Sequence, residues 1–260
     1  MKDDPLLWRR YLGEFHTEKA SITESILDQC NDEHGQTPYQ WLQEQWTATP
    51  DERILDLACG SAPLWVQAPT GYVLGFDRSR SELGFAATRL NDVVAGDVTT
   101  LPFKDESIDH IVCSMALMVF APLPQSVREI TRVLRPGGQL HLLLPSRTPI
   151  NLFDVAAYAG VKVALGFARF ATPSTGDDTA ILTELRRAGL TVEDIQRRRF
   201  AYGLNDSRAV EAFVASWYTP RSTPSQLLQA ERILRKFLGR SLGVAISRWL
   251  ITKPLSAPPS

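Results

Sequence analysis

Residues 54 to 63 read Ile-Leu-Asp-Leu-Ala-Cys-Gly-Ser-Ala-Pro, an apolar run that carries one carboxylate and then passes into small residues. This order predicts a buried strand that runs into a nucleotide-binding turn. A second carboxylate, Asp77, closes the apolar run Tyr72 to Phe76 at the distance expected for the next parallel strand. Acids are therefore expected at two neighbouring strand ends, where they suit a ligand with a ribose and a cationic group.

Apolar runs alternate with helical patterns on both sides of this stretch, which indicates a parallel sheet covered by helices. We expect strands at 53–57, 72–76, 92–95, 108–113, 139–144, 191–202 and 245–253, and helices at 61–68, 79–90, 123–134 and 179–189. The predicted fold class is α/β. It is a Rossmann-like, doubly wound, mostly parallel seven-stranded sheet with an N-terminal helical lid and inserted helices.

The predicted domain organisation is a helical lid at 1–49, a main domain at 50–254 and a tail at 255–260. In the lid, an amphipathic helix is expected from Ser21 to Cys30, with Ser21 or Thr23 as the N-cap and Glu24 completing a capping box. A further helical insertion is expected at about 206–239.

An apolar stretch at 149–171 begins a second expected insertion, at about 149–178. Asp154, Lys162 and Arg169 interrupt it, which argues against a membrane span of about 20 apolar residues. We interpret it as a cap helix over a hydrophobic cleft. Plain core packing and a contact with a membrane surface are the alternatives.

The composition gives 28 Lys and Arg against 29 Asp and Glu, a formal net charge of −1. This balance gives no reason to expect a nucleic-acid partner. Cys30, Cys59 and Cys113 are isolated, and no apolar signal segment precedes Lys2. We therefore expect a cytoplasmic protein, a monomer or homodimer, with no metal site and no stable membrane insertion.

The turn after the first strand bears on the class of ligand. A dinucleotide site favours the pattern G-x-G-x-x-G, which lets the backbone approach a pyrophosphate. Here the corresponding positions hold Ala58, Gly60 and Pro63, which disfavours NAD and FAD. A cofactor without a phosphate group needs fewer glycines in the turn.

Six fragments follow one another along the chain: Leu55-Asp56-Leu57-Ala58-Cys59-Gly60, Gly75-Phe76-Asp77, Ala95-Gly96-Asp97-Val98, Leu101-Pro102-Phe103, Ser107-Ile108-Asp109 and Arg132-Val133-Leu134-Arg135-Pro136-Gly137-Gly138. In this order and spacing they resemble the class I S-adenosylmethionine-dependent methyltransferases of the small-molecule type, the group that includes the ubiquinone and menaquinone methyltransferases. The resemblance covers about residues 50 to 145, and Arg248 to Pro254 resembles the family's terminal strand. It implies S-adenosyl-L-methionine as the cofactor.

The resemblance implies roles for the first two strand ends. Asp56 would accept from the ammonium group of the cofactor, directly or through water. Ala58 and Gly60 would bring the backbone close to the methionine portion and the ribose. Asp77 would accept from both ribose hydroxyls, because an ionised carboxylate accepts two donors at once. An ordinary strand-end cap is the alternative for Asp77.

For the adenine, the resemblance implies that Asp97 accepts from the amino group and that the backbone N–H of Val98 donates to a ring nitrogen. Arg78 and Leu101 would flank the ring. The alternative for Asp97 is a turn-forming residue after Gly96.

The sequence departs from the family pattern in three places. Ala58 and Ala62 replace two glycines of the turn, and Pro63 stands in the helix that follows. An alanine methyl group can be accommodated at these positions if φ stays negative, but it narrows the space for the sulfonium end of the cofactor. Met118 stands near the position where related enzymes often have a histidine, so it either lines an apolar substrate pocket or lies in the core.

Methyl transfer depends mainly on alignment and exclusion of water, and a dedicated base is optional. The resemblance places N-terminal and inserted helices over the substrate, which makes His16 and Tyr218 the catalytic candidates. Tyr11 is a further candidate that we assign to the substrate pocket, and Trp217 would stack on an aromatic acceptor. Ordinary packing roles explain these residues as well.

The predicted function is therefore methyl transfer from S-adenosylmethionine to a small, mostly apolar or aromatic acceptor in small-molecule biosynthesis. Carbon, oxygen and nitrogen all stay open as the acceptor atom. One alternative is a non-catalytic relative that binds the cofactor and acts as a partner or regulatory subunit. Another, from a different class, is a nicotinamide-dependent oxidoreductase, which the turn disfavours.

Overall fold

The computed structural model describes residues 5–66, 71–90, 92–166 and 178–255, with the backbone alone for residues 5 and 6. Parts of four expected segments lie outside these ranges: residues 1–4 of the lid, the end of the 61–68 helix, residues 167–177 of the apolar insertion, and residues 256–260 of the tail. The division into lid, main domain and tail stays a prediction.

In the described part of the chain, seven strands form one sheet: β1 Arg53–Leu57, β2 Tyr72–Asp77, β3 Asp92–Ala95, β4 Ile108–Ser114, β5 Leu134–Pro145, β6 Thr191–Gly203 and β7 Ser241–Thr252. Their order is β3-β2-β1-β4-β5-β7-β6. The first five are parallel, and β7 runs antiparallel to both β5 and β6. The predicted mostly parallel, seven-stranded Rossmann-like fold is confirmed.

Nine helices accompany the sheet in the described ranges: α1 Pro5–Glu18, α2 Ile22–Asp28, α3 Pro38–Gln43, α4 Arg80–Ala86, α5 Leu123–Val133, α6 Leu152–Ala164, α7 Asp178–Arg187, α8 Ser207–Ala215 and α9 Pro224–Leu234. They cover both faces of the sheet. Successive residues of β1 point to opposite faces, as in any strand. Ile54 belongs to the core that includes α6, α8 and α9, whereas Leu55 and Leu57 belong to the core that includes α5 and α7.

The parallel register brings the carboxyl ends of β1, β2 and β3 to the same edge of the sheet. Asp56 lies beside Gly75, and Asp77 lies beside Ala95. Ligands of open α/β sheets bind outside this edge, where the strand order changes direction. In this sheet the change falls between β1 and β4.

The N-terminal segment contains three helices where the sequence predicted one. In α1, the side chains of Trp8, Leu12 and Phe15 are buried. Their spacing of four and three residues is that of one helical face. In α2, Ser21 is the N-cap, but its side chain makes no capping hydrogen bond. The expected capping box is therefore absent.

Helix α6 corrects the interpretation of the apolar insertion. It packs against α9 and β7, with Ala157 and Val161 fully buried in the core. Its described residues thus serve core packing, because their apolar face meets neighbouring elements. Leu152 and Val163 lie on its exposed side. Among the described helices, none combines the length and apolar character that a bilayer crossing requires.

A buried ion pair fastens α6 to the antiparallel part of the sheet. Arg199 of β6 donates to Asp154 at 2.6 Å and 3.0 Å, and the backbone N–H of Gly243 in β7 donates at 2.8 Å. A Cβ on Gly243 would lie 2.3 Å from the Asp154 carboxylate. Glycine is therefore required there, because any side chain would force this ion pair apart.

Candidate active site

A cavity of about 490 Å³ opens at the carboxyl ends of β1 to β4, a size in the usual range for small-molecule sites. Its walls come from α1, α2, the turns after β1 and β2, the loops after β3 and β4, and the segment after α8. Nine of the residues predicted for the site line it: His16, Asp56, Ala58, Gly60, Asp77, Arg78, Asp97, Val98 and Tyr218.

The turn after β1 does not meet the condition of negative φ at its two alanines. Ala58 and Ala62 both adopt φ of 57°, and Gly60 adopts φ of 54°. All three lie in the left-handed region, which costs a non-glycine residue about 1–2 kcal/mol. The chain therefore keeps the turn geometry that glycines would favour, with alanine methyl groups in place.

Asp56 lies below this turn and is 1% exposed. The indole N–H of Trp65 donates to its Oδ2 at 2.7 Å. Burial raises the pKa of Asp56 to about 7, against the lowering effect of the Trp65 hydrogen bond, and the charge of Asp77 adds to the rise. Part of its acceptor capacity is thus already used within the protein.

Asp77 accepts two backbone hydrogen bonds, from Gly60 N–H at 3.0 Å and from Ser79 N–H at 2.7 Å. These bonds join the turns after β1 and β2 through one carboxylate. Burial raises the pKa of Asp77, while the two N–H groups and His16 oppose the rise. Each oxygen keeps further lone pairs for a donor in the cavity.

Asp97 is engaged by a residue of α1. Arg9 Nη2 lies 2.5 Å from its Oδ2, and Thr99 donates to its Oδ1 through both the backbone N–H and the hydroxyl. Burial raises the pKa of Asp97, but the bonds from Thr99 and the charges of Arg9 and Arg78 outweigh burial and lower it. Arg9 therefore ties the N-terminal helix to the end of β3.

His16 and Tyr218 lie together in the wall of the cavity. His16 Nδ1 is 2.9 Å from Glu82 Oε1, and His16 Nε2 is 3.2 Å from the Tyr218 hydroxyl. Burial lowers the pKa of His16, but the hydrogen bond and charge of Glu82 raise it above the usual value. Burial also holds the pKa of Tyr218 well above 10. The three side chains form a carboxylate–imidazole–phenol series.

Four predicted site residues do not line the cavity. Leu101 is buried, and its backbone N–H donates to Glu129. The Tyr11 hydroxyl accepts from the Thr219 N–H at 2.9 Å. Met118 is 5% exposed in the core of the α5 face, because its short 3₁₀ turn folds against that face. Trp217 packs edge to face against Phe213 of α8.

Sequence reasoning missed the site roles of Arg9, Glu24 and Glu82. Glu82 is 1% exposed and accepts from the backbone N–H of Ser21 as well as contacting His16. Glu24, expected only as a capping residue, lines the cavity. The pattern Ser79-x-x-Glu82 was visible as a helix start, but nothing in it indicates contacts with residues more than 60 positions away.

The remaining wall is largely apolar. Leu12, Leu27, Met115, Val119 and Phe120 contribute to it from α1, α2 and the loop after β4. Ser114 also lines the cavity, and its buried hydroxyl has no hydrogen-bond partner in the described part of the chain. None of the residues described in α6 lines the cavity, which agrees with its packing on α9.

Comparisons with known proteins match this architecture. A family model described as a methyltransferase domain matches residues 55–142. The demethylmenaquinone methyltransferase of Mycolicibacterium gilvum is 34% identical over 169 residues, which are 64% of this chain and 74% of that protein. The 2-phytyl-1,4-naphtoquinone methyltransferase of Synechococcus elongatus is 34% identical over 135 residues, or 45% of this chain and 58% of that protein.

Solved structures show the same fold. The YcgJ protein of Bacillus subtilis superposes with a TM-score of 0.59 at 18% identity, covering 84% of this chain and 98% of that one. The matched part of the sequence contains the turn after β1, the ends of β2 and β3, and the loop after β4.

Proposed function

Because the chain belongs to the class I S-adenosylmethionine-dependent methyltransferases, we propose that it methylates a small, mostly apolar acceptor with a quinone-type ring. One observation carries the proposal: a single cavity contains the strand-end carboxylates, an apolar wall and the His16–Tyr218 pair. The names of the two relatives, which refer to a demethylmenaquinone and a phytyl naphthoquinone, support this class of acceptor.

The residues at the strand ends fit the cofactor. Gly60 brings the backbone of the turn against the Glu24 carboxyl, since an added Cβ would lie 2.1 Å from Glu24 Oε1. We assign the ribose hydroxyls to Asp77, whose oxygens keep free lone pairs, and the methionine end to the turn with Asp56, Ala58 and Gly60. These acids favour a ligand that carries positive charge.

For the adenine, we assign Asp97 to the amino group, Val98 N–H to a ring nitrogen and Arg78 to one side of the ring. The Arg9–Asp97 ion pair brings α1 close to this part of the cavity. Leu101 takes no part in the assignment, because it lies in the core and its N–H is bound to Glu129.

The apolar wall supports an acceptor that buries its own surface on binding. S-adenosylmethionine, when bound, supplies a methyl group made electrophilic by a positively charged sulfur. The nucleophile must therefore be electron-rich, and a quinone-type ring meets this condition in its reduced, quinol form. Leu12, Leu27 and Phe120 would hold the ring and exclude water from it.

A methylated quinol must lose one proton. Tyr218 would take it while passing its own hydroxyl proton to His16 Nε2, 3.2 Å away. Glu82 holds the ring of His16 and stabilises the imidazolium that forms. This assignment makes His16 and Tyr218 the catalytic pair.

The test is methyl transfer by the purified protein, with mass spectrometry of the product, from S-adenosylmethionine to demethylated naphthoquinols and to the matching quinones. We expect methylation of the quinols alone. His16→Gln is expected to lower the rate by about 10²- to 10³-fold, the usual contribution of a proton-transfer group. S-adenosylhomocysteine affinity is expected to stay within a few-fold.

His34→Gln is the matched control, because His34 lies in an exposed turn away from the cavity. It is expected to act at the wild-type rate. A protein that binds S-adenosylhomocysteine but methylates no quinol would exclude this acceptor class. A wild-type rate in His16→Gln would remove His16 from the catalytic pair.

A further inference from the structure

Glu24 lies in the first turn of α2, at a position whose side chain often caps the start of a helix. It is the third residue of α2, and in a capping box such a glutamate reaches back to the N-cap backbone N–H. Here the N-cap is Ser21, and its N–H already donates to both oxygens of Glu82, at 3.0 Å and 3.1 Å. Glu82 of α4 thus does the capping, and the Glu24 carboxyl is left for the cavity.

The Glu24 carboxyl lies against the turn after β1. A Cβ on Gly60 would lie 2.1 Å from Glu24 Oε1, so the two residues meet where glycine leaves space. Glu24 Oε2 is buried and has no hydrogen-bond partner among the residues that the structure describes. A buried acceptor without a donor is unfavourable, which points to a donor that arrives with a ligand.

The other acids near this turn are already hydrogen-bonded within the protein. Trp65 binds Asp56 Oδ2, and two backbone N–H groups bind Asp77. Of the carboxylates that line the cavity, Glu24 alone has a buried oxygen without a partner in the described ranges. The resemblance gives the contact with the cofactor's ammonium group to Asp56. Glu24, which lies outside the matched residues 55–142, has an acceptor for the same group that is free in the described part of the chain.

We propose that Glu24 is a cofactor-binding residue whose Oε2 accepts a hydrogen bond from the α-ammonium group of S-adenosylmethionine. The proposal rests on the proposed use of this cavity for the cofactor. An ammonium group offers three donors and a positive charge, and a carboxylate offers only acceptors. Because this bond is charge-assisted, it is stronger than one between neutral groups.

The electrostatics of the site agree with this assignment. Burial, with the nearby charge of Glu82, raises the pKa of Glu24 to about 7, and a hydrogen bond from the Glu24 backbone N–H and the charge of His16 only partly offset the rise. No arginine or lysine forms an ion pair with Glu24 in the described ranges. A cationic group at this point would relieve the cost of burying the carboxylate.

The test is calorimetric titration of the full chain with two ligands. S-adenosylhomocysteine carries the ammonium group, and 5′-methylthioadenosine lacks the whole amino-acid portion. Glu24→Gln is expected to weaken S-adenosylhomocysteine binding by about 10- to 100-fold, the range for a hydrogen bond to a charged group. The affinity for 5′-methylthioadenosine is expected to change by less than about threefold, because that ligand has no group for Glu24 to bind.

Glu14→Gln is the matched control, since Glu14 lies on the exposed side of α1 and pairs with Arg10. It is expected to leave both affinities unchanged. The thermal midpoint of Glu24→Gln is expected at or above that of wild type, because the variant removes the charge from a carboxyl whose Oε2 is buried without a partner in the described ranges. That result shows that the variant is folded.

If the wild-type protein binds S-adenosylhomocysteine, either of two results would overturn the proposal. One is an unchanged S-adenosylhomocysteine affinity in Glu24→Gln. The other is equal weakening of both ligands, which would mean that Glu24 only shapes the turn. A wild-type protein that binds neither ligand would overturn the proposed function together with the role of Glu24.

Discussion

Buried carboxylates occur in two regions of this molecule, and their surroundings differ. Asp154, between α6 and the antiparallel strands, is fully buried and accepts from Arg199 and from the backbone of Gly243. Burial raises its pKa, but these bonds outweigh burial and lower it. In the cavity, burial dominates and raises the pKa of Asp56 and Glu24 to about 7.

This difference is the one expected between a structural acid and the acids that we assign to a ligand. A buried charge is stable when a cation and hydrogen-bond donors surround it. Asp154 has its cation permanently, in Arg199. Asp56 and Glu24 have no arginine or lysine ion pair in the described ranges, and we therefore propose that a bound ligand supplies the positive charge that matches them. Three predictions test this comparison.

The largest effect is expected at the structural acid. Asp154→Ala should lower the free energy of unfolding by about 3–5 kcal/mol, because it leaves Arg199 without its partner in a largely buried place. Denaturant titration of the full chain measures this loss. The folded fraction of Asp154→Ala should bind S-adenosylhomocysteine with wild-type affinity, because Asp154 does not line the cavity.

Asp178→Ala is the control for this variant. Asp178 pairs with Arg197 on the same edge strand, but both side chains are partly exposed, at 33% and 40%. An exposed pair contributes about 1 kcal/mol or less. Equal losses in the two variants would contradict the structural role that we assign to Asp154.

The next effect is expected at the end of β2. Asp77→Ala should weaken S-adenosylhomocysteine binding by about 100-fold, or about 2.7 kcal/mol, because it removes the acceptor that we assign to both ribose hydroxyls. Calorimetry measures this change. The control is Asp92→Ala. Asp92 is exposed at the start of β3, at the amino ends of the parallel strands and so away from the cavity. An unchanged affinity in Asp77→Ala would remove Asp77 from the cofactor site.

Strands β1 to β4 were predictable because they are largely apolar runs bounded by polar or small residues. The expected limits of β1 and β3 agree with the structure, and those of β2 and β4 differ by one residue. The start of β7 was placed four residues late, since Gly243 interrupts its apolar pattern. The reason for that glycine is the contact with Asp154, which no local pattern contains.

The site was predictable where it follows strand ends and unpredictable where it depends on packing between distant segments. Asp56, Asp77 and Asp97 come directly after apolar runs, and all three line the cavity. By contrast, His16 meets Glu82 across 66 positions of sequence, and Arg9 meets Asp97 across 88. Such pairs form only after α1 has packed beside α4, so short-range patterns do not indicate them.

Glu82 is a third case in the comparison, since its cationic partner can itself titrate. It is 1% exposed and holds His16 at 2.9 Å, so the His16 charge depends on pH. Burial lowers the pKa of His16, but Glu82 raises it above the usual 6.5. If His16 takes the hydroxyl proton of Tyr218 during the reaction, the neutral imidazole is the active form, and kcat/KM should rise with pH through this pKa.

Glu82→Gln should move that rise to lower pH, by about one unit, because removing the carboxylate charge lowers the pKa of His16. One unit corresponds to about 1.4 kcal/mol, which makes this the smallest of the three effects. The measurement is the pH profile of kcat/KM for the quinol reaction, with Glu18→Gln at the exposed end of α1 as the control. A merely structural role for Glu82 would lower the rate at every pH and leave the midpoint in place. A midpoint that stays, or moves to higher pH, therefore contradicts the proton transfer assigned to His16.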